Sequence, residues 1–104
     1  MSGPSFGFFG RCLEIDLTSA AVRVRPLDAD LIADYIGGRG LATRLFCDEA
    51  DPAADPLEPG NVVVIAASPL VGTNAPTAAR GHMVFRSPLS GLIGTSNSGG
   101  SWGF

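Results

Sequence analysis

A chain of 104 residues with a formal charge of −3 makes one domain at most, since a typical domain runs to about 100–150 residues. Only 16% of its residues are charged, against about 25% in an ordinary soluble domain, and 14 glycines and 8 prolines constrain many of its turns. All seven basic residues are arginines scattered along the chain without a basic run, which argues against a nucleic-acid binder and its clustered positive face.

The first ten residues carry no basic n-region and are broken by Pro4, Gly3, Gly7 and Gly10, so no secretory signal is expected there. Residues 12–17 alternate, with Leu13, Ile15 and Leu17 on one face and Cys12, Glu14 and Asp16 on the other, the period of a half-buried strand. After Thr18, Ser19 and Ala20 the alternation resumes with Val22 and Val24 against Arg23 and Arg25, the return strand of a hairpin. Pro26 ends it. Asp28 is placed to cap a helix in which Leu31, Ile32, Tyr35 and Ile36 recur at three- and four-residue spacing, and Gly37 or Gly38 fits its stop signal. A second helix is expected from Leu41 to Glu49, burying Leu41, Leu45 and Phe46.

Residues 51–60 hold Pro52, Pro56 and Pro59 and read as a stiff surface loop. The β-branched run at 61–67 predicts a strand covered on both faces, and it is far shorter than the roughly 20 residues that span a bilayer. Without a membrane segment or signal, the cytoplasm is the expected compartment. Residues 68–79 are turn-rich, 81–86 read as strand again, and a turn at 87–91 leads through Leu92 and Ile93 into a polar, glycine-rich tail. No internal repeat appears.

Self-contained catalytic chemistry is hard to find in these residues. His82 is the only histidine and is expected to be a structural residue in a strand. Cys12 and Cys47 lie far apart, outside any CxxC spacing, and are expected as buried free thiols; two thiols do not complete a cysteine-ligated iron–sulfur cluster. Two polar loops remain, 68–80 ending in Arg80, and 96–100 with Asn97, Ser98, Gly99 and Gly100. Glycine-rich turns form anion-binding nests and an arginine fork matches phosphate geometry. The alternative is that both segments are plain turns, with Arg80 paired to an acid such as Asp16 or Asp48 and Asn97 supporting its own turn.

Read in order, several motifs resemble the amino-terminal part of the tungsten-containing aldehyde ferredoxin oxidoreductase family. They are Gly10-Arg11 leading into Leu13-Glu14-Ile15-Asp16-Leu17-Thr18; Gly37-Gly38-Arg39-Gly40-Leu41-Ala42; Asp55-Pro56-Leu57; Pro69-Leu70-Val71-Gly72-Thr73; Ala75-Pro76-Thr77 with Arg80; Ser87-Pro88-Leu89-Ser90-Gly91; and Ser96-Asn97-Ser98-Gly99-Gly100. Ser68, Arg86 and Ser101-Trp102 depart mildly from the family pattern.

The resemblance implies an α+β domain, with a mixed or antiparallel sheet, an N-terminal hairpin and two short helices packed on it. The family's N-terminal domain has two similar halves forming a platform for a pterin cofactor, and residues 1–104 resemble the first half. By this resemblance Arg80 holds a pterin phosphate, Asn97 helps place the magnesium that links the phosphates, and Ser98 and Gly99 supply nearby contacts. The implied function is a tungstopterin- or molybdopterin-binding module of an oxidoreductase, inactive alone, because the family's iron–sulfur and catalytic domains lie outside this segment. The alternative is a structural or assembly subunit docking on a longer enzyme chain. A homo-oligomer or a second enzyme subunit is the expected protein partner; nucleic acid and membrane are not expected.

Overall fold

The computed structural model describes residues 9–100; the opening read as lacking a signal lies mostly outside them, as does the Ser101-Trp102 pair. Strands β1 (Arg11–Asp16) and β2 (Ala21–Pro26) form the expected antiparallel hairpin, with Leu13 opposite Val24, Glu14 opposite Arg23 and Ile15 opposite Val22. Its turn is locked by the Asp16 carboxylate, which accepts from the backbone N–H of Thr18 at 3.0 Å. The hairpin is half-buried, but with its faces reversed from the simplest reading. Cys12, Glu14 and Arg25 are partly covered, while Leu13, Ile15, Val22 and Val24 are more than half exposed.

Charge pairing sets that orientation. Arg23 hydrogen-bonds Glu14, Arg25 Nε lies 2.6 Å from Glu14 Oε1, and Arg25 Nη2 reaches Glu49 Oε1 at 2.9 Å, tying the hairpin to the end of the second helix. The hydrogen bond from Arg23 holds the Glu14 carboxyl below the usual carboxylate range against a small opposing effect of desolvation.

Helix α1 (Ala29–Tyr35) starts as expected, with the Asp28 side chain accepting from the N–H of Asp30 at 2.9 Å. Its stop differs. Ile36, not a glycine, takes the positive φ of 67°, and the N–H of Gly37 donates to Tyr35 O at 2.7 Å, closing a strained γ-turn. The glycines belong to the next element. Gly37 is the N-cap and Gly38 the first residue of helix α2 (Gly38–Glu49), which therefore begins three residues earlier than expected. Close approach explains the exchange, because a Cβ on Gly37 would lie 3.1 Å from Pro69 Cδ and 3.2 Å from Ala67 O.

Leu41, Ala42, Leu45 and Phe46 form the buried stripe of α2. It packs on β3 (Val64–Ala67) and β4 (Gly81–Arg86), with α1 against its outer side. Ala42, Phe46 and Val84 are the centre of the core, with Ala50, Val62, Val64 and Ala66 around them. The three-stranded antiparallel sheet has the order β3-β4-β5, with β5 at Ile93–Ser98. Two expectations fail here. β3 is shorter than the run 61–67, and it is covered on one face only: Val64 and Ala66 turn to the core while Ile65 is 69% exposed. The segment expected as a polar loop at 96–100 is strand up to Ser98, because β4 supplies a full ladder from Gly81↔Ser98 to Arg86↔Ile93. Gly94 leaves room for Phe85, whose Cε2 would lie 2.7 Å from a Cβ there.

The proline loop 51–60 is clipped by one side chain. Arg86 donates from Nη1 to Pro52 O at 2.6 Å and Ala54 O at 3.0 Å, and from Nε to Gly91 O at 3.0 Å. Cys12 is partly buried and Cys47 is exposed, so the expectation of two buried thiols holds for neither in full: Cys47 falls on the solvent side of α2, beside the buried Phe46. The architecture is α+β, with the hairpin as a separate two-stranded sheet.

Candidate functional site

β4 and β5 bring the two polar segments of the sequence together at one end of the sheet. Residues alternate faces along a strand, so Arg80 and His82 share the face of Val84, the core face. On β5, Asn97 stands opposite His82, and Gly99 follows two residues on. Arg80 Nη1 donates to Asn97 Oδ1 at 2.7 Å across the strands. A Cβ on Gly99 would sit 3.7 Å from Arg80 Nε, so the guanidinium lies along the bare backbone there.

α2 roofs the same face further along, and its first turn borders the site: a Cβ on Gly38 would lie 3.5 Å from His82 Cδ2 and 3.8 Å from the Ser68 Cβ. The corner is thus made by the start of α2, the end of β3, the start of β4 and the end of β5. Of the expected site residues, Arg80, Asn97 and Gly99 converge. Ser98 pairs with Gly81, one position out of phase, so alternation puts its side chain on the opposite face.

Neither acid proposed as a partner for Arg80 serves. Asp48 accepts from Arg44 Nε at 3.1 Å within α2, and Asp16 caps its own hairpin turn. Among the described residues Arg80 makes no ion pair. The loop 68–79 does not present the amide nest that its composition suggests at every position: the N–H groups of Val71, Thr73 and Ala75 are used within its turns, bonding Ser68 O, Leu70 O and Thr73 Oγ1. Among the described residues no group of three or more His, Cys, Asp or Glu side chains could hold a metal ion. His82 falls in the expected strand, and its place opposite Asn97 depends on a β4–β5 register that the polar β5 does not advertise.

A three-stranded sheet roofed by one helix, with an arginine–asparagine pair at its open corner, defines an α+β module whose site is polar and cationic. The chain belongs to the aldehyde ferredoxin oxidoreductase family, matching its N-terminal domain over residues 12–104. It is 44% identical over 98 residues to the tungsten-containing aldehyde ferredoxin oxidoreductase of Pyrococcus furiosus and 43% identical to that of Thermococcus kodakarensis, covering 94% of this chain and 16% of each relative. A WOR-like subunit of an aliphatic sulfonate oxidoreductase from Pyrococcus furiosus is 31% identical over 94 residues, 86% of this chain and 15% of that protein. Among solved structures, the active-site complex BamBC of benzoyl coenzyme A reductase with 1,5-dienoyl-CoA superposes with a TM-score of 0.89 at 31% identity, over 94% of this chain and 15% of that one. The chain spans about one sixth of the length of these relatives.

Proposed function

We propose that this chain is the pterin-cofactor-binding module of an aldehyde ferredoxin oxidoreductase-like enzyme, and that Arg80 and Asn97 hold the phosphate end of a tungstopterin or molybdopterin. The observation that supports it most is the 2.7 Å Arg80–Asn97 hydrogen bond at the sheet corner, in a chain whose relatives include enzymes named tungsten-containing. The donor set fits a phosphate. With Nη1 committed to Asn97, the Nε and Nη2 edge of Arg80 has no partner among the described residues and offers two parallel donors.

Magnesium fits only as a shared ion. Asn97 Oδ1 accepts one hydrogen bond and keeps one lone-pair site, so the remaining ligands would be phosphate oxygens and water. Gly99 gives the guanidinium and a ligand close access to backbone. By the family resemblance, the bound group supplies a redox metal held by dithiolene sulfurs; these residues bind and orient its phosphate end. Two cysteines do not complete a cysteine-ligated cluster, so these residues alone are expected to reduce no viologen dye with an aldehyde, and dye reduction by them would refute this.

Fluorescence titration of molybdopterin into the wild type, Arg80→Lys, Arg80→Ala and Asn97→Ala tests the reading. Binding should weaken in Arg80→Lys and more in Arg80→Ala, and Asn97→Ala should lower affinity together with its magnesium dependence; equal affinity for wild type and Arg80→Ala removes Arg80 from the site. A second reading, a structural subunit docked on a longer enzyme chain, draws support from the exposed apolar face of Leu13, Ile15, Val22 and Val24. Sedimentation of the chain at micromolar concentration, with and without the partner chain, separates a compact monomer from a docked or self-paired one.

A further inference from the structure

We infer that His82 is a third contact of this site, donating an imidazole N–H to the anionic group that Arg80 and Asn97 hold. The inference rests on the phosphate-binding reading and adds a residue to it. His82 lies two residues from Arg80 on one strand face and directly opposite Asn97, where facing Cβ atoms come within about 4.5–5.5 Å. The three polar side chains therefore form one cluster at the edge of a face whose next positions, Ala66 and Val84, are core.

The ring is anchored by its carbon edge. Cδ2 faces the first turn of α2, where a Cβ on Gly38 would be 3.5 Å away. Its nitrogens have no such anchor: His82 is half-buried, neither ring nitrogen has a hydrogen-bond partner among the described residues, and neither is sealed from solvent. The surroundings also exclude a carboxylate partner. The first turn of α2 carries no acid, β3 reads Val-Ile-Ala-Ala, and β5 reads Ile-Gly-Thr-Ser-Asn-Ser; the nearest charged residue in sequence is Arg80. A ring that donates in either protonation state, placed beside an arginine and away from acids, suits an anion.

Pyrophosphate with magnesium, titrated into the ¹⁵N-labelled chain and followed by NMR, tests the assignment in the wild type, His82→Phe, His82→Gln, Arg80→Ala and Asn97→Ala, with amide spectra checking each fold. The His82 ring nitrogens should shift on saturation. His82→Phe should weaken binding about tenfold, the effect of losing a hydrogen bond to a charged group, and His82→Gln, which retains an N–H donor, by less than about threefold. If Arg80→Ala loses binding while both His82 variants bind as wild type, His82 is excluded and the arginine–asparagine site stands. Ring nitrogens that stay unmoved at saturation overturn the inference regardless of the variants. A wild type that does not bind, or Arg80→Ala that binds equally, overturns both readings.

Discussion

Replacing Gly37 by alanine should cost more stability than any other single methyl group added to a glycine in open surroundings. The residue sits at φ 141°, ψ −168°, a region essentially reserved to glycine, which costs an L-residue about 1–3 kcal/mol. Its new Cβ would meet Pro69 Cδ at 3.1 Å, Ala67 O at 3.2 Å and Ser68 Cα at 3.3 Å. None of these is the loose end of a side chain, so relief requires α2 to back away from β3, an overpacking cost of about 1–3 kcal/mol. Stiffening of the unfolded chain offsets about 0.4–1 kcal/mol, leaving a net loss of roughly 1–5.5 kcal/mol. Gly91 is the control: its φ is 72° but a Cβ there has nothing within 4 Å, so Gly91→Ala incurs backbone strain of about 1–2 kcal/mol alone. Urea unfolding followed by far-UV circular dichroism, with unchanged m-values, should place Gly37→Ala at least about 1 kcal/mol below Gly91→Ala. Equal losses would refute the close-contact argument and leave only the dihedral angles.

Arg86→Lys should lower stability by about 1–2 kcal/mol and hasten limited proteolysis within residues 51–60, since a point ammonium cannot serve the carbonyls of Pro52, Ala54 and Gly91 together. Gly94→Val should destabilise by about 1–3 kcal/mol through collision with Phe85, and Phe85→Ala in the same chain should recover part of the collision cost; thermal melts of the single and double variants check this. The lowered carboxyl of Glu14 stabilises the fold above the ordinary glutamate pKa, and that contribution is lost as pH falls through the folded value. Hydrogen-exchange protection factors in the hairpin, referred to the intrinsic exchange rate at each pH, should therefore fall on acidification in the wild type more than in Glu14→Gln, by a modest margin because the pair is exposed.

Local patterns carried much of this architecture. The Leu13–Ile15 and Val22–Val24 alternation announces the hairpin, and the spacing of Leu41, Leu45 and Phe46 announces α2. Which hairpin face turns inward was not legible, because it depends on Glu49, a residue at the far end of another element that captures Arg25. The Gly37-Gly38 pair correctly marked a break but concealed its cause, since the crowding atoms belong to a loop 30 residues on. β5 escaped notice because Gly94, Thr95, Ser96, Asn97 and Ser98 have no apolar alternation of their own; its pairing with β4 defines it. Arg80 and Asn97 were each visible as polar residues of the right chemistry, whereas their hydrogen bond needed the register.

That hydrogen bond joins residues 17 apart in sequence and reaches across the last rung of the β4–β5 ladder at Gly81↔Ser98, from Arg80 just outside it to Asn97 just inside. Arg80 reaching Asn97 is a cross-strand latch on this end of the ladder. An anion held by both side chains would tighten the latch from outside the ladder. At a free concentration one hundred times its Kd, a ligand that binds only the closed corner stabilises it by about 2.7 kcal/mol. Exchange protection should then spread from Gly81 and Ser98 toward Val84, so this end of the sheet would gain its rigidity from the bound anion.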